Sequence, residues 1–251
     1  MTRRLRRVST VVFDCDSTLT AVEGIDELAR DHRAEIQALT DAAMRGDVPL
    51  EEVYGRRLEL VRPTRAQLEA LARTYIAALV PDARAVVNAL RGEDIEVRVL
   101  SGGLRPAVAA LAAELGIEPG AVGAVDIEFD GRGDYVGFDA SSPLARAGGK
   151  RELLQLWRSR LHGSVMLVGD GATDLEAEDV ADVFVAYAGV AARTEVVAGA
   201  DVVVRSASLA PVLPLALAGA LPRKPADRAL FERGLELLEP EYRACMPSHG
   251  S

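Results

Sequence analysis

The stretch Val11-Val12-Phe13-Asp14-Cys15-Asp16-Ser17-Thr18-Leu19-Thr20 most constrains what this chain can fold into. A short apolar run from about Val8 has the length of a buried strand, and it stops at two carboxylates one residue apart, followed by two hydroxyls. In an open parallel sheet, ligands bind in the crevice beyond the carboxyl ends of the strands, so Asp14 stands at a functional end. Alternation along an extended backbone sends the Asp14 and Asp16 side chains the same way, which would let one attack a reacting group while the other moves a proton. Cys15 then points the opposite way, as a packed core thiol.

Two later stretches repeat the design. The strand pattern over 95–100 ends in Ser101-Gly102-Gly103, and that over 165–168 ends in Gly169-Asp170-Gly171-Ala172-Thr173-Asp174. Between them, Gly148-Gly149-Lys150 delivers a lysine to the start of a helical pattern. Each stretch alone reads as a cap, a turn or a solvated helix residue; the set, in this order, points to one shared site.

After Leu19 no strand pattern returns until about Ile95. Helical periodicity covers 23–33, with Ile25, Leu28 and Ala29 on one side, and continues over 35–45. Gly46-Asp47-Val48-Pro49 breaks it, and 50–61 resumes with Val53, Leu58 and Val61 as expected buried positions. Thr64-Arg65-Ala66-Gln67 has the form of a capping box for a helix to about 79, and Pro81-Asp82 starts the helix that returns the chain. These helices read as a cap inserted after the first strand, with hinges near 20–22 and 79–82. Further on, Pro106 suits the first turn of a helix and Gly116 its end. Val125, Ile127 and Phe129 alternate up to Asp130-Gly131-Arg132-Gly133-Asp134, predicting a hairpin over 124–138. Lys150 opens a helix carrying Leu153, Leu154 and Trp157, and 182–187 and 201–204 supply the last strands.

The expected fold is α/β: a doubly wound, parallel, Rossmann-like sheet with a helical cap inserted after the first strand and a small β-hairpin. The expected division is an α/β core over 1–20 and 82–213, a helical cap over 21–81 and a C-terminal helical extension over 214–251. In that extension, 227–239 is an amphipathic helical pattern with Leu230, Phe231, Leu235 and Leu238, closed by Pro240 and expected to pack back on the core.

At 251 residues and 49% hydrophobic, the chain can bury a full core. A net charge of −9 argues against nucleic acid and anionic membrane as partners, so a phosphate site here must be locally positive. No apolar run approaches the roughly 20 residues that span a bilayer. The four arginines before Val8 read as a solvated lead-in, and the apolar run behind them is too short for a signal peptide. Cys15 and Cys245 form no disulfide framework, which suits a reducing cytoplasm, and the scattered His32, His162 and His249 suggest no histidine metal site.

Asp14-Cys15-Asp16-Ser17-Thr18, Ser101-Gly102-Gly103, Lys150 and Gly169-Asp170-Gly171-Ala172-Thr173-Asp174 resemble the four motifs of the haloacid dehalogenase superfamily of phosphatases. Glu23-Gly24-Ile25-Asp26-Glu27-Leu28-Ala29, Ala43-Met44-Arg45-Gly46, and Tyr135-Val136-Gly137-Phe138-Asp139 with its following Gly-Gly-Lys are similar to the phosphoserine phosphatase branch. The resemblance runs from about Val8 to about Leu213. It implies a Mg²⁺-dependent hydrolysis of L-phosphoserine in serine formation, through an aspartyl-phosphate intermediate, by a monomer or homodimer.

By resemblance, Asp14 is the nucleophile, and Asp16 protonates the leaving oxygen and then deprotonates the attacking water. The Ser101 hydroxyl, the Gly102 amide and the Lys150 ammonium hold phosphate oxygens, where negative charge persists through the transition state. Mg²⁺, a hard cation that takes few protein carboxylates, falls to Asp14, Asp170 and the Asp16 carbonyl, with Asp174 supporting it through water or capping a helix. Glu23 meets the substrate ammonium and Arg57 its carboxylate, with Met44 and Leu50 walling the pocket, Thr173 binding substrate and Arg193 near the rim. Spacing alone also allows Glu23 as a helix N-terminal acid and Arg57 as one of a solvated Arg56-Arg57 pair.

The chain departs from the family at Val125-Asp126, where an Asn-Arg pair is usual near the substrate mouth. That leaves the phosphoryl chemistry intact and opens the substrate to phosphothreonine or another small phosphorylated amine. A non-catalytic binding protein is disfavoured, because it needs no nucleophile paired with a proton shuttle.

Overall fold

The computed structural model describes residues 5–29, 32–44 and 50–244, with the backbone alone at 40–44, 50–51 and 244. Six parallel strands form the main sheet, in the order β3-β2-β1-β6-β7-β8. They are β1 (Thr10–Phe13), β2 (Glu96–Leu104), β3 (Val122–Val125), β6 (Val165–Gly169), β7 (Val183–Tyr187) and β8 (Val202–Val204). All residues of β1, β6 and β7 are buried, which is why they read as continuous apolar runs rather than as alternation. The chain winds one way from β1 through β2 to β3, then restarts on the other side of β1 with β6. That reversal opens a crevice at the carboxyl ends of β1 and β6.

Helices cover both faces. Val11 and Phe13 join the cluster under α5 (Ala83–Gly92), α6 (Arg105–Glu114) and α10 (Val212–Ala216), while Val12 joins Leu154 of α7 (Gly149–Arg158) and Val196 of α9 (Thr194–Gly199) on the other face. Cys15 is fully buried in the first cluster, as expected of a core thiol.

Between β1 and α5 run α1 (Gly24–Leu28), α2 (Arg33–Met44), α3 (Leu50–Val61) and α4 (Arg65–Ala77). The two connections to the core cross as one short antiparallel contact: Ala21 N–H donates to the Ala78 carbonyl at 2.9 Å and Val80 N–H to the Leu19 carbonyl at 3.0 Å. The expected capping box opens α4, with Gln67 N–H on the Thr64 hydroxyl and Thr64 N–H on the Gln67 side chain. The expected helix over 23–33 stops at Leu28, and Val61 is half-buried rather than buried.

Two expectations near the crevice are corrected. Val125 belongs to β3 of the main sheet, and the hairpin is β4 (Ile127–Phe129) with β5 (Tyr135–Phe138). Ser101-Gly102-Gly103 lies within β2, where a register shift against β3 between Leu100 and Leu104 bulges the strand. The hairpin is fastened to the inserted helices. Arg65 N–H donates to the Gly133 carbonyl at 2.9 Å, and the Arg62 and Arg65 guanidinium groups lie 5.2 and 4.8 Å from the Tyr135 and Phe129 ring centres.

The tail folds back as expected. Helix α11 (Arg228–Leu237) buries Leu230 and Phe231 in the same cluster as α5 and α10, and Pro240 begins α12 (Pro240–Ala244). Arg233 pairs with Asp82 at 2.7 Å, and Arg205, just past β8, pairs with Glu239 at 3.1 Å. Of the lead-in arginines, the described Arg6 and Arg7 are exposed as expected. The segment is nonetheless anchored: Leu5 is buried, and Arg7 pairs at 2.9 Å with Glu93, a carboxylate the fold encloses.

Candidate active site

Register explains why three sequence motifs meet. Phe13 pairs with Val99 on one side and Val168 on the other, so Asp14, Leu100 and Gly169 come next at one level, with Ser101 and Asp170 one residue further on. The Asp14 N–H still bonds to the Val168 carbonyl at 2.9 Å, and the chain then curls. The N–H groups of Thr18, Leu19 and Thr20 all point at the Cys15 carbonyl, and Ser17 takes a left-handed φ of 54°.

One buried ammonium organises the cluster. Lys150 Nζ lies 2.9 Å from Asp14 Oδ1 and 2.8 Å from Asp174 Oδ1. Helix α7 can present it because Gly149 lacks a side chain: a Cβ there would lie 1.7 Å from the Pro143 carbonyl oxygen. Asp174, in the first turn of α8 (Ala172–Leu175), also accepts the Gly171 N–H at 3.0 Å, so it serves the helix start and the cluster together. The carboxylate of Asp170 accepts the Thr18 hydroxyl at 2.8 Å and pairs with Arg193.

Asp16 stands apart from that ammonium. Its Oδ1 accepts the Tyr75 hydroxyl at 2.5 Å and its Oδ2 the Gly24 N–H at 2.8 Å. Glu23 accepts the Ser17 hydroxyl at 2.7 Å and pairs with Arg193 at 3.0 Å, and it does not cap α1. The Ser101 hydroxyl oxygen accepts the Gly103 N–H at 2.9 Å, leaving its own proton to donate. Tyr54 of α3 donates its hydroxyl to the Gly102 carbonyl at 2.8 Å.

Burial pushes the Asp14 carboxyl well up, Asp174 adds to this, and Lys150 pulls it back. For Lys150, burial acts to lower the pKa, but Asp14 and Asp174 outweigh it and hold the ammonium charged. Asp16 is pushed up to about 6, chiefly by burial, with the Tyr75 and Gly24 hydrogen bonds limiting the rise.

Oxygens of Asp14, Asp170 and Asp174 lie within 4.8 Å of one another. They are hard donors, and with Asp16 they set four carboxylates against one buried ammonium and the guanidinium of Arg193. A phosphate dianion meets net repulsion in such a site unless a cation joins it, and an all-oxygen donor set fits Mg²⁺.

A family profile for haloacid dehalogenase-like hydrolases matches residues 8–178. The chloroplastic phosphoserine phosphatase of Arabidopsis thaliana is 39% identical over 201 residues, covering 78% of this chain and 68% of that protein. The phosphoserine phosphatase of Bos taurus is 38% identical over 189 residues, 74% of this chain and 84% of its own. The chain belongs to the haloacid dehalogenase-like hydrolases, in their phosphoserine phosphatase branch. Its fold is shared with a substrate-bound phosphoserine phosphatase complex at a TM-score of 0.68 and 24% identity, covering 83% of this chain and 98% of that one.

The hydrolase is thus an enzyme of the phosphoric monoester class. Its fold gathers Asp14, Asp170, Asp174 and Lys150 into one cluster, with Glu23 and Arg193 joined to it at the rim through Asp170. Thr173 is half-buried in the first turn of α8, beside Asp174. Arg57 is half-buried on α3, one turn beyond Tyr54 and so on the same face. The Met44 and Leu50 side chains fall outside the described residues. The departure at Val125-Asp126 is absorbed locally: Val125 is buried in β3, and the exposed Asp126 pairs with Arg105 at 2.7 Å. Sequence reasoning missed the contacts of Thr18, Tyr54 and Tyr75. Tyr75 left one trace, a hydroxyl on the apolar face of a helix, where it needs a partner. Among the described residues no helix is long and apolar enough to cross a membrane.

Proposed function

We propose that the hydrolase cleaves L-phosphoserine to serine and phosphate through an aspartyl-phosphate on Asp14, with Mg²⁺ as cofactor. The observation that carries this reading is the Lys150 ammonium, 2.9 Å from Asp14 and 2.8 Å from Asp174, beside Asp170 at the point where the strand order reverses. Asp14, Asp170 and the Asp16 carbonyl would hold the metal, with Asp174 in support. When bound, Mg²⁺ supplies the positive charge that lets a carboxylate approach a phosphate dianion.

In the first displacement an Asp14 oxygen bonds to phosphorus, the bond from phosphorus to the serine oxygen breaks, and Asp16 gives that oxygen its proton. In the second, Asp16 takes a proton from water, the water oxygen bonds to phosphorus, and Asp14 leaves. Lys150, the Ser101 hydroxyl and the Gly102 amide hold the non-bridging oxygens throughout. At the substrate end Glu23 meets the ammonium and Arg57 the carboxylate, with Met44, Thr173 and Arg193 completing the pocket. Arg193, which pairs with Glu23 in this structure, gives way to the substrate ammonium.

The same reading divides the chain into an α/β core over 1–20 and 82–213, a cap over 21–81 and an extension over 214–251. It places a monomer or homodimer in the cytoplasm, in keeping with a free buried Cys15. The test is phosphate release with Mg²⁺ from L-phosphoserine, phosphothreonine and an aryl phosphate. Phosphoserine should be preferred, and Asp14→Asn should lose at least about 10³-fold in rate, as removal of a nucleophile does. Turnover of the aryl ester or phosphothreonine with little of phosphoserine would keep the chemistry and reject the substrate.

A further inference from the structure

Asp16 is a residue of the sheet end, where the Cys15 thiol lies against its carboxylate, yet two groups of the inserted helices also donate hydrogen bonds to it. Tyr75 lies in α4 with its ring fully buried beside Leu68, Leu71 and Ala72, and its hydroxyl reaches Asp16 Oδ1 at 2.5 Å. Gly24, the first residue of α1, gives its N–H to Oδ2 at 2.8 Å. The two donors are packed against each other so closely that a Cβ on Gly24 would lie 2.1 Å from the Tyr75 hydroxyl oxygen. The backbone of Tyr75 is tied to the crossing that joins inserted helices to core, through the Thr20 hydroxyl on its carbonyl at 3.1 Å. A carboxylate offers about four lone-pair directions, so these contacts leave room for substrate or water.

We propose that Tyr75 is a positioning residue, which aims the Asp16 carboxyl at the leaving-group oxygen and does so when the inserted helices are docked on the core. The proposal rests on the reading of Asp16 as the proton donor. In that step the phosphorus–oxygen bond breaks, its electron pair goes to the leaving oxygen, and the Asp16 proton follows it. A serine alkoxide is a far stronger base than a nitrophenolate, so departure of the alkyl group needs the delivered proton and departure of the aryl group does not. Misplacing Asp16 must therefore hurt one ester and spare the other.

The experiment compares Tyr75→Phe, Gly24→Ala and Asp16→Asn with the unaltered protein, measuring kcat/KM for L-phosphoserine and p-nitrophenyl phosphate with Mg²⁺ present. This constant reports the steps through departure of the leaving group. Tyr75→Phe is expected to lose about 10- to 100-fold on phosphoserine and less than about 3-fold on the aryl ester, with a larger selective loss for Asp16→Asn. Gly24→Ala displaces the hydroxyl without removing it and should show the same selectivity, so the proposal stays testable if Tyr75→Phe does not fold. Equal losses on both esters, or none, in the folded variants would mean that Tyr75 only fills space, and the proposal falls. A lack of selectivity in Asp16→Asn itself would reject the donor role, and the proposal with it. Selectivity in Asp16→Asn alone would reject Tyr75 and keep the donor.

Discussion

Asp16 holds a carboxylate where charging it is costly, and the hydrogen bonds from Tyr75 and Gly24 recover only part of that cost. The group is pushed from an ordinary 3.8 up to about 6. The folded chain then binds this proton more tightly than the unfolded chain, so stability falls as pH rises from about 4 to about 6 and is level above. Asp16→Asn removes that dependence. In chelator, the stability of the unaltered protein relative to the variant should drop by on the order of 2–3 kcal/mol across that window, at about 1.36 kcal/mol per pKa unit. Urea unfolding at several pH values measures it, and a difference flat with pH would refute it. At this scale Asp14 and Asp170 were legible because each directly follows the apolar run of a strand. Ser101 was legible from the alternating strand pattern before it, although the strand runs on past it to Leu104. Tyr75 was not, because a tyrosine on the buried face of a helix fits ordinary packing, and its partner lies 59 residues away.

Helix α7 shows how an element's start can set chemistry. Gly148 takes a left-handed φ of 72°, and Gly149 passes against the Pro143 carbonyl, so Lys150 enters the cluster at a fixed point. In Gly149→Ala the new Cβ meets the Pro143 backbone carbonyl, and no rotamer relieves the clash. The variant should lose about 1–3 kcal/mol of stability and raise KM more than it lowers kcat, since the displaced group binds phosphate. Thermal melts and steady-state kinetics test this; an unchanged melting temperature and KM would overturn it. Most elements were legible from period and caps, the Thr64–Gln67 box above all. Val125 was misplaced because alternation runs unbroken from β3 into β4, and a period of two does not reveal that the chain changes partners at Asp126.

Across the whole molecule, distant ties close the structure. Arg7 reaches Glu93 and Arg233 reaches Asp82, across 86 and 151 residues, and no local pattern announces either. Asp82 stands at the return from the inserted helices, where Leu209 N–H also bonds to the Pro81 carbonyl at 2.9 Å. The tail's own amphipathic pattern did announce α11 and the side it buries. Phe231→Ala should cost about 3–5 kcal/mol, read as a lower melting temperature, because Phe231 is enclosed between tail and core. A melt within a degree of the unaltered protein would count against that packing. The tail has a second consequence. Strand β8 ends the sheet with three consecutive valines, and α12 brings the Tyr242 hydroxyl to the Val203 backbone, with the Arg205–Glu239 pair beside it. Unpaired strand edges of β-branched residues recruit other chains, so the contact of α12 with the middle valine of that edge works against self-association as well as adding stability.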